Sequence, residues 1–221
     1  MHIEPGIVSG AKIFLSYATA AGAGLVTLKA AVDAARVQGL GSLVARSAIA
    51  TAAVFSFFEL MPHYPVGVSE VHLILGSTLF LILGLAPAAI GLAMGLLVQG
   101  LFFAPFDLPQ YGMNVTTLLV PLFGLRLLAG RLIAPGTAYV DLKYRQALAL
   151  STAYQGGIVA WVAFWAIYGQ GLAEVTQVMT FGAAYMTVIL LEPLVDLAVL
   201  AVAKRAHALK GSGLVTRRLY V

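Results

Sequence analysis

Apolar residues occupy this chain in blocks close to the ~20 residues that a helix needs to cross a bilayer. The blocks cover about 11–35, 43–61, 71–104, 113–133, 147–168 and 174–203. The first is rich in small residues, Ala18-Thr19-Ala20-Ala21-Gly22-Ala23-Gly24. The third is too long for one span and is punctuated by Gly84-Leu85-Ala86-Pro87. Proline suits the first turn of a helix, so Pro87 is expected to open a new one after a tight turn. The block then divides into helices over about 71–84 and 87–103. The pattern predicts an all-α membrane protein, a bundle of seven transmembrane helices.

Composition agrees with this reading. The 221 residues are 61% hydrophobic and 10% charged, with a mean hydropathy of +0.95, whereas soluble domains carry about 25% charged residues. The net charge of +4 needs no nucleic acid to explain it, because Lys and Arg gather where loops meet an anionic leaflet. One side of the predicted bundle collects Arg36, Arg46, Arg131, Lys143, Arg145, Lys204, Arg205, Lys210, Arg217 and Arg218; the opposite side holds Lys12. The positive-inside rule then puts the amino terminus outside and the carboxyl terminus in the cytoplasm. Residues 1–203 form a single transmembrane domain, and 204–221 form a basic cytoplasmic tail. The chain has no cysteine, which excludes disulfides and thiolate metal sites.

With sulfur excluded, a metal site must use nitrogen and oxygen. The chain begins Met1-His2-Ile3-Glu4-Pro5-Gly6. Methionine is normally trimmed only before a small residue, so His2 is expected to keep Met1 in place. The α-amine, the deprotonated His2 amide and one His2 ring nitrogen then close two fused chelate rings around one ion. Three nitrogens near one plane favour Ni(II) or Cu(II), with Co(II) close behind, and one more imidazole would complete the plane. His207 falls in the basic tail. His63 and His72 fall on the outer side with His2, as do Asp107 and Asn114. Single polar groups at helix starts are often ordinary interface residues; here several converge on one face.

Other features carry less chemistry. Glu192 and Asp196 are four apart, on one face of the seventh helix, with Pro193 between them. A mid-span carboxylate is costly unless it faces the bundle, and the expected role is structural, bracing a bend. Glu59 is placed to balance charge near the outer face. Ala20-xxx-Gly24 and Gly91-xxx-Gly95 permit close helix contact. No HExxH, Walker lysine loop or Gly-x-Ser-x-Gly elbow is present, so the chain reads as a non-enzyme without a resident cofactor. A haem-binding redox subunit needs histidines on facing helices, and these cluster at one surface. A membrane carrier, or the substrate-binding component of a transporter, for a different small substrate, with His2 incidental, is the alternative reading.

MHIEPG, the segment Ser69-Glu70-Val71-His72-Leu73 after a Pro/Gly loop, and Gly112-Met113-Asn114-Val115 together resemble the CbiM/NikM family. These proteins are the substrate-binding components of energy-coupling-factor (ECF) cobalt and nickel transporters. The resemblance runs from residue 1 to about 200, and the family also has seven helices. It implies an imported Co2+ or Ni2+ ion, with a lean toward cobalt, held by the Met1 amine, the amide and ring of His2, and a ring nitrogen of His72. Asn114 would brace the amino-terminal loop. His63 has no place in the family pattern and reads as an interfacial histidine, or as one that captures the entering ion or adds a ligand. The resemblance further implies a transmembrane coupling component, two ABC ATPase subunits and a small accessory membrane subunit, in the inner membrane of a bacterium or archaeon.

Overall fold

The computed structural model describes residues 3–209. Its seven helices follow the apolar blocks: α1 (Ile13–Gln38), α2 (Leu40–Phe55), α3 (Gly76–Leu83), α4 (Leu85–Phe102), α5 (Tyr111–Leu132), α6 (Tyr144–Gln170) and α7 (Val175–Leu209). A π-helical turn at Ser56–Leu60 extends α2, and short 3₁₀ turns precede α1, α5 and α7. Six helical stretches, all but α3, are long and apolar enough to cross a membrane. Their outward faces carry Leu25, Leu28, Ile49, Leu127, Leu190 and Val202, all exposed, as side chains facing lipid tails would be.

The third helix departs from the sequence-based expectation. It has eight residues, a length of about 12 Å, and cannot span a ~30 Å hydrocarbon core. It starts at Gly76, not at 71, because the preceding segment is tied elsewhere. The backbone N–H groups of Ile74 and Leu75 both donate to Oε1 of Glu192 on α7, the latter at 2.9 Å. Leu75 is thereby held in the left-handed region, φ 54° and ψ 28°, a conformation costing roughly 1–2 kcal/mol for a residue with a side chain. At the other end of α3, Nη1 of Arg46 donates to the Leu83 carbonyl at 2.7 Å, a cation on the negative end of the helix dipole. Gly84 (φ 91°) then turns the chain and Pro87 lies in the first turn of α4, as expected.

An unexpected element precedes α3. Strands β1 (Tyr64–Val66) and β2 (Ser69–Val71) pair antiparallel, with Val66 opposite Ser69 closing a two-residue turn. The turn packs against α7: a Cβ on Gly67 (φ 62°) would lie 2.4 Å from the Gln177 carbonyl oxygen.

Packing follows residue size. A Cβ on Gly91 would lie 2.3 Å from that of Ala50, and one on Gly95 would lie 2.6 Å from Val54 Cγ1, so these glycines let α4 press against α2. The small residues of α1 act differently. Nothing lies within 4 Å of a Cβ built on Gly22 or Gly24, and Ala20 and Gly24 line an open cleft of about 390 Å³ with Ile90, Ala93 and Tyr111. Phe58, Leu92, Leu118, Leu122, Ile158, Phe181 and Tyr185 belong to one buried core. Helix α7 continues past residue 203 to Leu209, and Lys204 Nζ donates to the Val140 carbonyl at 2.5 Å.

Candidate metal centre

The site is built from three stretches meeting at one end of the bundle. The first is residues 3–8. Ile3 is fully buried and forms an antiparallel bridge with Ser69 of β2. Glu4 N–H donates to the Val68 carbonyl at 3.1 Å, so the N-terminal stretch lies alongside the hairpin as a third, very short strand. The Ile3, Glu4 and Ile7 N–H groups are all satisfied inside the protein, as burial requires. Ile3, Val8, Met113 and Trp165 form a separate apolar cluster. Gln170 Nε2 donates to the Gly6 and Ile7 carbonyls, each at 2.9 Å, and Lys12 Nζ donates to the Gly169 carbonyl at 2.8 Å.

The second stretch is the start of α5. Asn114 is buried at 1% exposure, and its Oδ1 accepts the Ile3 N–H at 2.8 Å. That bond crosses 111 residues of sequence and pins the backbone at the third residue. Asp107 is also buried, in the 3₁₀ turn just before α5.

The third stretch is the link from β2 to α3, residues 72–75. His72 is buried at 3% exposure. Its Nδ1 sits 2.9 Å from the Leu73 carbonyl oxygen, which only accepts, so in the neutral ring Nδ1 carries the proton and Nε2 the lone pair. An N–H···O=C bond of this kind is how a metal-binding histidine fixes its tautomer and ring orientation. The Phe58 ring meets the imidazole edge-on, with centroids 4.6 Å apart and planes at 61°. Behind Phe58, Gln99 Nε2 reaches the Phe58 carbonyl and Glu59, both at 3.4 Å.

The antiparallel pairing sets directions. Following β2 forward from Ser69 leads to His72, and the segment paired with it at Ile3 runs the opposite way. Met1 and His2 themselves lie outside the described residues. His63 does not join this group; it is exposed in the loop before β1, with Nδ1 at 3.2 Å from the Met61 carbonyl. His207 is exposed near the end of α7. Among the described residues, no three His, Asp or Glu side chains gather into a metal-holding cluster.

Sequence reasoning missed three contributors. The hairpin was foreshadowed by Tyr64, Val66 and Val71 flanking Gly67. Phe58 reads in sequence as one more lipid-facing aromatic. Gln155, a lone amide inside the apolar run of α6, donates to Glu192 Oε2 and accepts from the Tyr185 hydroxyl at 2.7 Å. Glu192 therefore braces the 72–75 link rather than a bend of its own helix.

Residues 2–209 match the model of a family described as the cobalt uptake substrate-specific transmembrane region, CbiM. No curated protein matches the sequence. Among solved structures, the chain is similar to a crystal structure of a truncated transition-metal transporter, with TM-score 0.67 and 21% identity over 91% of this chain and 97% of that one. It is also similar to a crystal structure of a transition-metal transporter, with TM-score 0.67 and 18% identity over 97% of this chain and 100% of the other. At these identities the structural likeness is one of fold.

Proposed function

This chain belongs to the CbiM family of cobalt-uptake transmembrane regions, a multi-pass membrane component of metal transport, and we propose that it is the substrate-binding subunit of an ECF-type importer. Its substrate in this reading is a divalent transition-metal ion, Co2+ or Ni2+, with cobalt preferred because the family description names cobalt uptake. The Met1 amine, the His2 amide and ring, and Nε2 of His72 supply four nitrogens. Asn114 holds the backbone at Ile3, and His63 stands outside the ligand set. The observation that supports the reading is the fastening of Ile3 to both Asn114 and Ser69, which ties the stretch from Ile3 onward to the strand that leads into His72.

The rest of the assignment follows from this one. The end bearing residues 3–8 faces outward, where it meets the incoming ion, and the end bearing Arg46, Lys204 and Arg205 faces the cytoplasm of a bacterium or archaeon. ATP is hydrolysed by two separate ABC subunits, coupled through a transmembrane partner and assisted by a small accessory subunit. Titration of the purified chain with Co(II), Ni(II) and Zn(II) tests the ligand set. Planar nitrogen donors bind the first two tightly, whereas zinc, which prefers a tetrahedron, binds weakly. Zinc affinity equal to that of nickel would contradict it.

A further inference from the structure

Glu192 lies at the middle of α7, a membrane-spanning helix, and is fully buried. Such a carboxylate needs partners, and those it has are specific. Oε1 accepts the backbone N–H groups of Ile74 and Leu75. Oε2 accepts from the Gln155 amide, which the Tyr185 hydroxyl holds in turn. Ile74 and Leu75 follow His72 by two and three residues, in the non-helical link between β2 and α3. That link is short and fastened at both ends: Ser69 of β2 pairs with Ile3, and Glu192 grips the far side. The companion carboxylate, Asp196, makes a useful contrast. One turn further along α7, its Oδ2 accepts the Ser77 hydroxyl at 2.5 Å, in the first turn of α3 and not in the link.

We propose that Glu192, backed by Gln155 and Tyr185, is a positioning residue for His72, fixing the backbone from which the imidazole reaches the metal ion. A carboxylate serves here because one oxygen takes two N–H groups at the start of α3 while the other is anchored to α6. This rests on the assignment of His72 as a ligand and extends it to a residue on a different helix. Its consequence is that metal affinity is set partly by the packing of α6 and α7, neither of which supplies a ligand.

Ni(II) titration of the full chain in detergent, with the visible absorption of the saturated protein and its melting temperature, tests this. Glu192→Leu removes both acceptors and is expected to lower affinity about 10- to 100-fold, the usual effect of losing a group that orients a metal-bound histidine. Its saturated spectrum is expected to shift from that of the wild type, because the ion then loses its hold on an imidazole. Glu192→Gln keeps one acceptor oxygen and the side-chain shape, and lowers affinity less, with a smaller shift of the band in the same direction. Asp196→Asn, equally buried and on the same helix, leaves affinity and spectrum unchanged whatever it does to the melting temperature. If Glu192→Leu does not fold, the comparison of Glu192→Gln with Asp196→Asn decides alone. Wild-type affinity and spectrum in the Glu192 variants, or equal losses in Asp196→Asn and Glu192→Gln, would overturn the proposal while His72→Ala still failed to bind. A wild-type chain that bound no Ni(II), or a His72→Ala variant that bound it normally, would overturn the underlying assignment as well.

Discussion

His72 is no surface histidine: it is buried, its Nδ1 is turned to a backbone carbonyl, and the Phe58 ring packs against it. His63, nine residues upstream, has none of that burial. We therefore expect His72→Ala and His2→Ala each to remove high-affinity metal binding. His63→Ala is expected to stay within about tenfold of wild type, ~1.4 kcal/mol, as read by isothermal titration. The same experiment run at two pH values gives a second test. With the proposed ligand set the metal-bound state carries fewer protons than the free one, because the amine, the imidazoles and the His2 amide must all give them up, so affinity is expected to fall as pH falls. The decline is expected to steepen below about pH 6.5, where free imidazole is protonated; a flat profile from about pH 7.5 to 5.5 would mean that imidazoles are not ligands. His72 and Asn114, both buried, stood out in the sequence because their residue types are rare in an apolar chain. Phe58 and Gln155 were not, since one more aromatic or amide in a long helix carries no mark of what it faces.

The stretch from Ile3 to Val8 behaves as an element in its own right, although it has no regular secondary structure beyond one bridge. Its hold on the bundle comes from Asn114, the hairpin and the end of α6. Gly169 is where it touches most closely: a Cβ there would lie 2.0 Å from the Ile7 carbonyl oxygen and 2.9 Å from Val8 Cγ2. Gly169→Ala must push the stretch away and break the Gln170 bonds to Gly6 and Ile7. We expect it to weaken metal binding about tenfold or more, ~1.4 kcal/mol, with helix content by circular dichroism unchanged. Unchanged affinity would show that the stretch does not position the ligands. The long helices were readable because apolar length alone dictates them in a membrane. The third helix and the hairpin were not: the link before α3 is held by Glu192, more than a hundred residues away, and the hairpin pairs with Ile3 from the far end of the chain. The sequence showed Glu192 to be buried and costly, and gave no means of finding its partner.

Across the molecule, the two ends of the bundle differ in kind. One is closed by the hairpin, residues 3–8 and the start of α5; the other carries Lys204 and an open cleft lined by Arg46, Gly84 and Arg126. The charge asymmetry predicts that the first end faces outward. Because the chain has no cysteine, single reporters test this cleanly: a membrane-impermeant maleimide is expected to label Leu172→Cys in intact cells and Ala134→Cys only after permeabilisation, and the reverse pattern would invert the topology. In the proposed mode of binding the amino terminus is a ligand, fastened through Ile3 to Asn114 and completed by His72. The most direct test is Ni(II) or Co(II) titration of the chain with Met1 free, against the same chain bearing one additional residue before Met1, both tagged only at the carboxyl end. The added residue removes the α-amine from its five-membered ring while leaving His2, His72 and Asn114 in place. Loss of tight binding in the extended chain, with the same melting temperature in the absence of metal, is the predicted result; equal affinity in the two chains would contradict it.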